Sequence, residues 1–160
     1  MKEILLTIPL KVFSKAEELA IDYQQLLESA RIATQRAYAP YSQFLVGAAA
    51  LLDNGLIISG ANQENAAYPM CLCAERVVLG TIHSQYPGQR IMALAITVHN
   101  LHKAIAQPAA PCGACRQVIH EMELRQQAAM AIILQGSEGD IYWLDSGKLL
   151  LPLGFDGSFL

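Results

Sequence analysis

Charged residues are scarce in this chain: Asp, Glu, Lys and Arg make up only 16% of its 160 residues, against 53% hydrophobic. So little charge beside so much apolar side chain implies surface buried between subunits as well as within one, and oligomerisation is the default expectation. Basic clusters are missing too. The 11 Lys and Arg are scattered and the formal net charge is -3, which leaves no electrostatic footprint for a phosphate backbone and argues against a nucleic-acid partner. No apolar run approaches the roughly 18 residues that a membrane span needs. Met1 to Phe13 is apolar but carries Glu3 and Lys11, has Pro9 inside it and lacks a small-x-small cleavage site. It does not read as a secretory signal, and a cytoplasmic protein is expected. Internal repeats and low-complexity linkers are also lacking, so residues 1–160 read as a single domain, long enough to bury a core.

What is present divides into recognisable elements. Ile4, Leu6, Ile8, Leu10 and Val12 alternate in the first 14 residues, which predicts an extra strand with one buried face, with Pro9 suiting an edge position. Ser14-Lys15-Ala16-Glu17 reads as a capping box, and the helical spacing of Leu19, Tyr23, Leu26, Leu27, Ala30 and Ala33 predicts a long helix ending near Ala39-Pro40. Phe44 to Leu52 and Leu56 to Ser59 flank Asp53-Asn54-Gly55, a turn signal that predicts a hairpin. Helices are then expected from Cys73 to about His83 and from Ala114 to about Leu124. Strands are expected at Ile91–Val98, Met130–Leu134 and Ile141–Leu144, with a short helix over Ser146–Leu151. That order fits an α/β fold, a three-layer α/β/α sandwich around a mixed five-stranded sheet.

The chemistry sits in two clusters, Cys73-Ala74-Glu75-Arg76 and Pro111-Cys112-Gly113-Ala114-Cys115-Arg116. Cysteines in a cytoplasmic chain are metal ligands more readily than disulfides. Cys73, Cys112 and Cys115 can close three corners of a tetrahedral Zn²⁺ and leave the fourth for water, the arrangement of a catalytic zinc site. Glu75 is then placed to take a proton from that water and hand it to a leaving group. Both clusters precede predicted helices, whose positive ends favour thiolates. Zinc carrying three thiolates bears a net negative charge, and Arg76 is expected to offset it by hydrogen-bonding sulfur. Two rivals stand beside this reading. A redox Cys112/Cys115 pair leaves Cys73 and Glu75 unexplained, and a closed structural zinc site would need Cys71 as fourth ligand. Spacing to Glu75 selects Cys73, and Cys71 is expected to be a small buried hydrophobe. His83, His99, His102 and His120 lack ligand spacing to the cysteines, so no metal role is assigned to them.

The pair of clusters resembles the signature of the zinc deaminases, and from about Tyr38 to Phe155 the chain resembles the small, single-domain cytidine deaminases. The resemblance implies the α/β fold just described, one Zn²⁺ per subunit, and hydrolytic deamination of cytidine and 2′-deoxycytidine, with Glu75 as the proton shuttle. A deaminase of another small aminated heterocycle remains the alternative. Asn62-Gln63-Glu64-Asn65-Ala66 resembles the family segment in which the first Asn and the Glu bind ribose hydroxyls, here Asn62 and Glu64. A carboxylate beside the sugar would repel a nearby phosphate and favour free nucleosides. Phe44 matches the aromatic that packs on the pyrimidine, and Ala74 a substrate-contacting position. Tyr68 and Phe155 match groups that complete a neighbouring subunit's site, so the resemblance also implies a homotetramer.

Overall fold

The computed structural model describes residues 1–160. Its element order is β1 (Lys11–Phe13), α1 (Ile21–Thr34), β2 (Phe44–Leu52), β3 (Ile57–Ala61), α2 (Ala74–Gln85), β4 (Ile91–Asn100), α3 (Gly113–Gln126), β5 (Ala131–Gln135) and β6 (Ile141–Leu144). The strands form one sheet in the order β1-β6-β5-β4-β2-β3. Only β4 and β5 run parallel, joined by the crossover that contains α3. The sheet is therefore mixed as expected, but it has six strands rather than five, because β1 pairs with β6 through Lys11↔Trp143 and Phe13↔Ile141.

Side-chain alternation along the strands builds the three layers. Ala48, Ala50, Leu52, Leu94, Ile96, Ile132 and Leu134 point to one face, where they pack with Val78, Leu79 and Ile82 of α2 and Ile119 of α3. Ala49, Ala93, Ala95 and Ile133 point to the other, against Leu26, Leu27 and Ala30 of α1. The small residues on the α1 face let that helix approach closely. A Cβ at Gly47 would run into the carbonyl of Ala30, so the β2–α1 contact requires glycine there.

Five expectations need correction. The capping box belongs one residue further on, where the Glu18 carboxylate accepts from the Lys15 N–H at 3.1 Å. It closes only a 3-10 turn, Ala16–Glu18, after which Leu19 is extended. The first helix starts at Ile21 and stops at Thr34, short of Ala39, since Tyr38 leaves to bridge Gln63. The N-terminal strand is three residues long, not the whole extension, and Ile4, Leu6 and Ile8 are exposed instead of presenting a buried face. The strand at the hairpin's second arm is Ile57–Ala61, after a turn in which Gly55 has φ 84° and the Asn54 side chain accepts from the Leu56 N–H at 3.0 Å. The short helix near residue 147 is a 3-10 turn, Gly147–Leu150, whose start is held by the Ser146 hydroxyl accepting from Lys148 N–H. No helix is long and apolar enough to cross a membrane.

Candidate active site

Helices α2 and α3 pack side by side on one face of the sheet, and their first turns bring the two cysteine clusters together. Cys73 is the residue that caps α2, and Cys112 the one that caps α3, both in extended backbone with helical N–H groups ahead of them. Cys115 lies in the first turn of α3 and is fully buried. The Cys73 and Cys112 sulfurs are 3.9 Å apart, and those of Cys112 and Cys115 3.6 Å. A tetrahedral zinc with Zn–S bonds of about 2.3 Å needs sulfurs roughly 3.8 Å apart. All three sulfurs lie within 4.8 Å of one another, so the donor set fits zinc.

Electrostatics reinforce the geometry. Cys73 has its pKa lowered to about 6, foremost by a hydrogen bond from Cys115, with help from Cys112 and the Arg76 charge, against desolvation and the charge of Glu75. Cys115 is pushed up, because it supplies that proton and is buried. The three sulfurs are close enough to share protons that a metal would displace. Glu75, only 4% exposed, has its carboxyl raised above the ordinary glutamate range, chiefly by burial. Burial of that kind suits a group that both accepts and gives protons near neutral pH.

Cys73 and Cys112 of the cluster line a cavity of about 280 Å³, with Cys115 buried behind them. Its walls are Phe44 and Val46 of β2, Ile96 and Val98 of β4, Ala74 and Glu75 of α2, and Ala109 and Ala110 from the segment before Cys112. Asn62, Gln63, Glu64, Cys71 and Leu72 form the rim. A roomier hollow of about 440 Å³ between α1 and the β2–β3 hairpin contains neither a thiol nor Glu75.

At the rim, Asn62 bridges β2: its Oδ1 accepts from Val46 N–H at 2.8 Å and its Nδ2 donates to the Phe44 carbonyl at 2.9 Å. One amide N–H stays free. The Glu64 carboxylate accepts from the N–H groups of Tyr41 and Ser42 through one oxygen, at 2.8 and 3.3 Å. These donors, the Ser42 hydroxyl foremost, hold its carboxyl below the ordinary range. Its other oxygen accepts from no backbone N–H.

The structure thus gathers Cys73, Cys112, Cys115, Glu75, Ala74, Phe44, Asn62 and Glu64 into one site. Three residues behave differently. Arg76 is exposed and makes no hydrogen bond to sulfur, so its effect on Cys73 is a through-space charge. Tyr68 and Phe155 do not line the cavity: Tyr68 is exposed with its ring edge-on to Tyr41, and Phe155 is exposed and stacked on Phe159. Cys71 is half-buried rather than buried, and its sulfur accepts from the Asn65 N–H at 3.2 Å, away from the other three. It supplies no fourth ligand. The histidines stay outside the cysteine cluster, as expected.

Arg116 was not singled out by its place in the motif, yet it ties the site together. Its Nε donates to the Pro111 carbonyl at 2.8 Å, next to Cys112, and its Nη1 donates to the Leu150 carbonyl at 3.2 Å. The wall residues Val46, Ile96, Val98, Ala109 and Ala110 also escaped notice, since apolar strand residues read equally well as core.

Residues 20–131 match the family described as "Cytidine and deoxycytidylate deaminase zinc-binding region". A cytidine deaminase of Halalkalibacterium halodurans is 40% identical over 131 residues, which is 81% of this chain and 92% of that protein. A cytidine deaminase of Mycobacterium tuberculosis is 44% identical over 101 residues, 63% of this chain and 71% of its own. The crystal structure of cytidine deaminase from Burkholderia pseudomallei superposes with a TM-score of 0.71 at 38% identity, covering 83% of this chain and 98% of that one.

Proposed function

Since the chain belongs to the cytidine and deoxycytidylate deaminase family, we propose that it is a zinc-dependent enzyme hydrolysing cytidine and 2′-deoxycytidine to uridine and 2′-deoxyuridine with release of ammonia. One observation carries this reading: three sulfurs lie at zinc-ligand spacing, and two of their cysteines, Cys73 and Cys112, line an apolar cavity together with a buried glutamate, Asn62 and Glu64. Cys73, Cys112 and Cys115 would hold a zinc ion, which would supply the Lewis acidity that makes water nucleophilic toward C4 of the pyrimidine. Glu75 receives the water's first proton and delivers it to ring N3, then takes the second from the hydroxyl now on C4 and passes it to the departing amino group, leaving the uracil carbonyl and ammonia. Burial raises the Glu75 carboxyl above the ordinary glutamate range, which favours its holding a proton between the two transfers. Arg76 offsets part of the thiolate charge through space.

Phe44 and Ala74 pack on the base, whose flat apolar faces match the cavity walls. The free N–H of Asn62 and the other oxygen of Glu64 take the sugar hydroxyls. A hydrogen-bonded carboxylate at that position disfavours a phosphate nearby, so nucleosides are the substrates rather than nucleotides. The reading extends to a cytoplasmic role in pyrimidine salvage, a single domain over residues 1–160, and a homotetramer. Exposure of the aromatic rings of Tyr68 and Phe155 supports their reaching a neighbouring subunit's site. The test follows ultraviolet absorbance on adding cytidine, deoxycytidine, CMP, cytosine and adenosine to zinc-loaded protein. Turnover of the first two alone supports the reading, and turnover of CMP or free cytosine at comparable kcat/KM refutes the assignment of Glu64.

A further inference from the structure

One wall of the cavity is held from outside the site. Residues 101–112, between β4 and α3, contain Ala109 and Ala110, which line the cavity, and end in Cys112. Within this segment residues 106–110 make no backbone hydrogen bond. Their position is set by a clamp at each end. At the Cys112 end Arg116 holds the Pro111 carbonyl at 2.8 Å. At the other end the turn between β5 and β6 holds Ile105: the Ser137 hydroxyl accepts from Ile105 N–H at 2.8 Å, and Glu138 N–H donates to the Ile105 carbonyl at 3.3 Å.

The approach at this second clamp is tight. A Cβ at Gly136 would run into the Ile105 carbonyl, and one at Gly139, whose φ is 82°, would press on the Ala106 carbonyl. The turn itself is anchored in the core, since the buried Thr97 hydroxyl donates to the Gly136 carbonyl at 2.9 Å. The chain from Thr97 through Gly136 and Ser137 to Ile105 therefore ties the sheet interior to the cavity wall.

We propose that Ser137 is a positioning residue for substrate binding, acting through Ile105 on the wall formed by Ala109 and Ala110. The inference rests on the deaminase reading of that cavity. Ser137 is exposed and hydrogen-bonds neither the cysteines nor Glu75: Cys73 and Glu75 stand at the start of α2, and Cys112 and Cys115 at the start of α3, where Arg116 holds the segment's other end. Losing its hydroxyl frees one end of the wall while leaving the groups that do the chemistry in place. Binding should weaken and turnover at saturation should not.

The experiment compares wild type, Ser137→Ala and Ser137→Thr as zinc-loaded full-length proteins. It measures kcat and KM for cytidine, zinc per chain, and amide hydrogen exchange across residues 105–110. Ser137→Ala is expected to raise KM about three- to tenfold, the effect of one hydrogen bond, with kcat and zinc unchanged and faster exchange in that segment. Ser137→Thr keeps the hydroxyl and should restore all three. An unchanged KM in Ser137→Ala, a fall in kcat or zinc matching the change in KM, or a threonine variant as impaired as alanine would overturn the proposal. No turnover by the wild type would instead refute the deaminase reading, and the exchange comparison would still decide whether Ser137 fixes the wall.

Discussion

Glu123 should be the costliest single carboxylate to neutralise outside the active site. It is 8% exposed near the end of α3 and accepts from four donors: Met130 N–H at 2.6 Å, Gly147 N–H at 2.9 Å, Lys148 N–H at 2.8 Å and the Ser146 hydroxyl at 2.9 Å. These bonds join α3 to the start of β5 and to the 3-10 turn after β6. Glu123→Gln keeps the shape but places an NH₂ group against donors. Oε1 can go on serving Met130 and Gly147, while Lys148 N–H falls back on the Ser146 hydroxyl, already 3.1 Å away. One bond is lost and two or three drop from the charge-assisted range of about 1.5–3 kcal/mol toward about 1 kcal/mol each, a total of roughly 3 kcal/mol. In a chain of this length that lowers Tm by about 6–12 °C, at 2–4 °C per kcal/mol. Thermal unfolding of zinc-saturated protein at one fixed concentration measures it, with exposed Glu121→Gln on the same helix as control. Equal midpoints for the two variants would refute the reasoning.

Further outcomes follow from the same geometry. In metal-free, reduced protein the Cys73 thiolate predominates above about pH 6, whereas Cys115 is buried and pushed up. Iodoacetamide at neutral pH should therefore label Cys73 long before Cys115 by peptide mass analysis, and the reverse order would contradict the shared proton. Gly47→Ala forces β2 away from the Ala30 carbonyl and should cost about 2 kcal/mol or more, read as a lowered urea midpoint with an unchanged slope. Glu64→Gln should raise the nucleoside KM about tenfold or more while sparing zinc content, because a charged hydrogen-bond acceptor is lost from the cavity rim. An unchanged KM would remove Glu64 from the sugar contacts.

Local signals in the sequence were reliable where a short stretch determines its own structure. Asp53-Asn54-Gly55 specified the hairpin turn, since the Asn54 side chain and the positive φ of Gly55 are properties of those residues alone. The cysteine spacing foretold that Cys73, Cys112 and Cys115 would meet, since each rides on a helix start that its own neighbours encode. Readings that depended on a partner failed. The alternation in Met1 to Val12 resembles a half-buried strand, but nothing else in the chain covers Ile4, Leu6 or Ile8. Ser14 to Glu17 fits the capping-box pattern by residue type, but the turn starts one residue later and Glu18 takes the part expected of Glu17. Arg76 and Arg116 hold equivalent places in their motifs, yet one is solvated and the other clamps Pro111 and Leu150, the latter 34 residues away. Ser137 carried no signal because its partner Ile105 lies 32 residues earlier in an irregular segment.

The most direct test of the central claim measures zinc per chain and cytidine turnover together in wild type and Glu75→Gln. On the proposed reading three thiolates hold the metal and Glu75 moves the proton, so both proteins should contain one zinc. Turnover in the variant should fall by about 100-fold or more, the usual contribution of a general acid–base group. A variant that keeps its zinc and still deaminates cytidine at a comparable rate would contradict the role of Glu75. Zinc lost along with the glutamate would contradict the three-thiolate site.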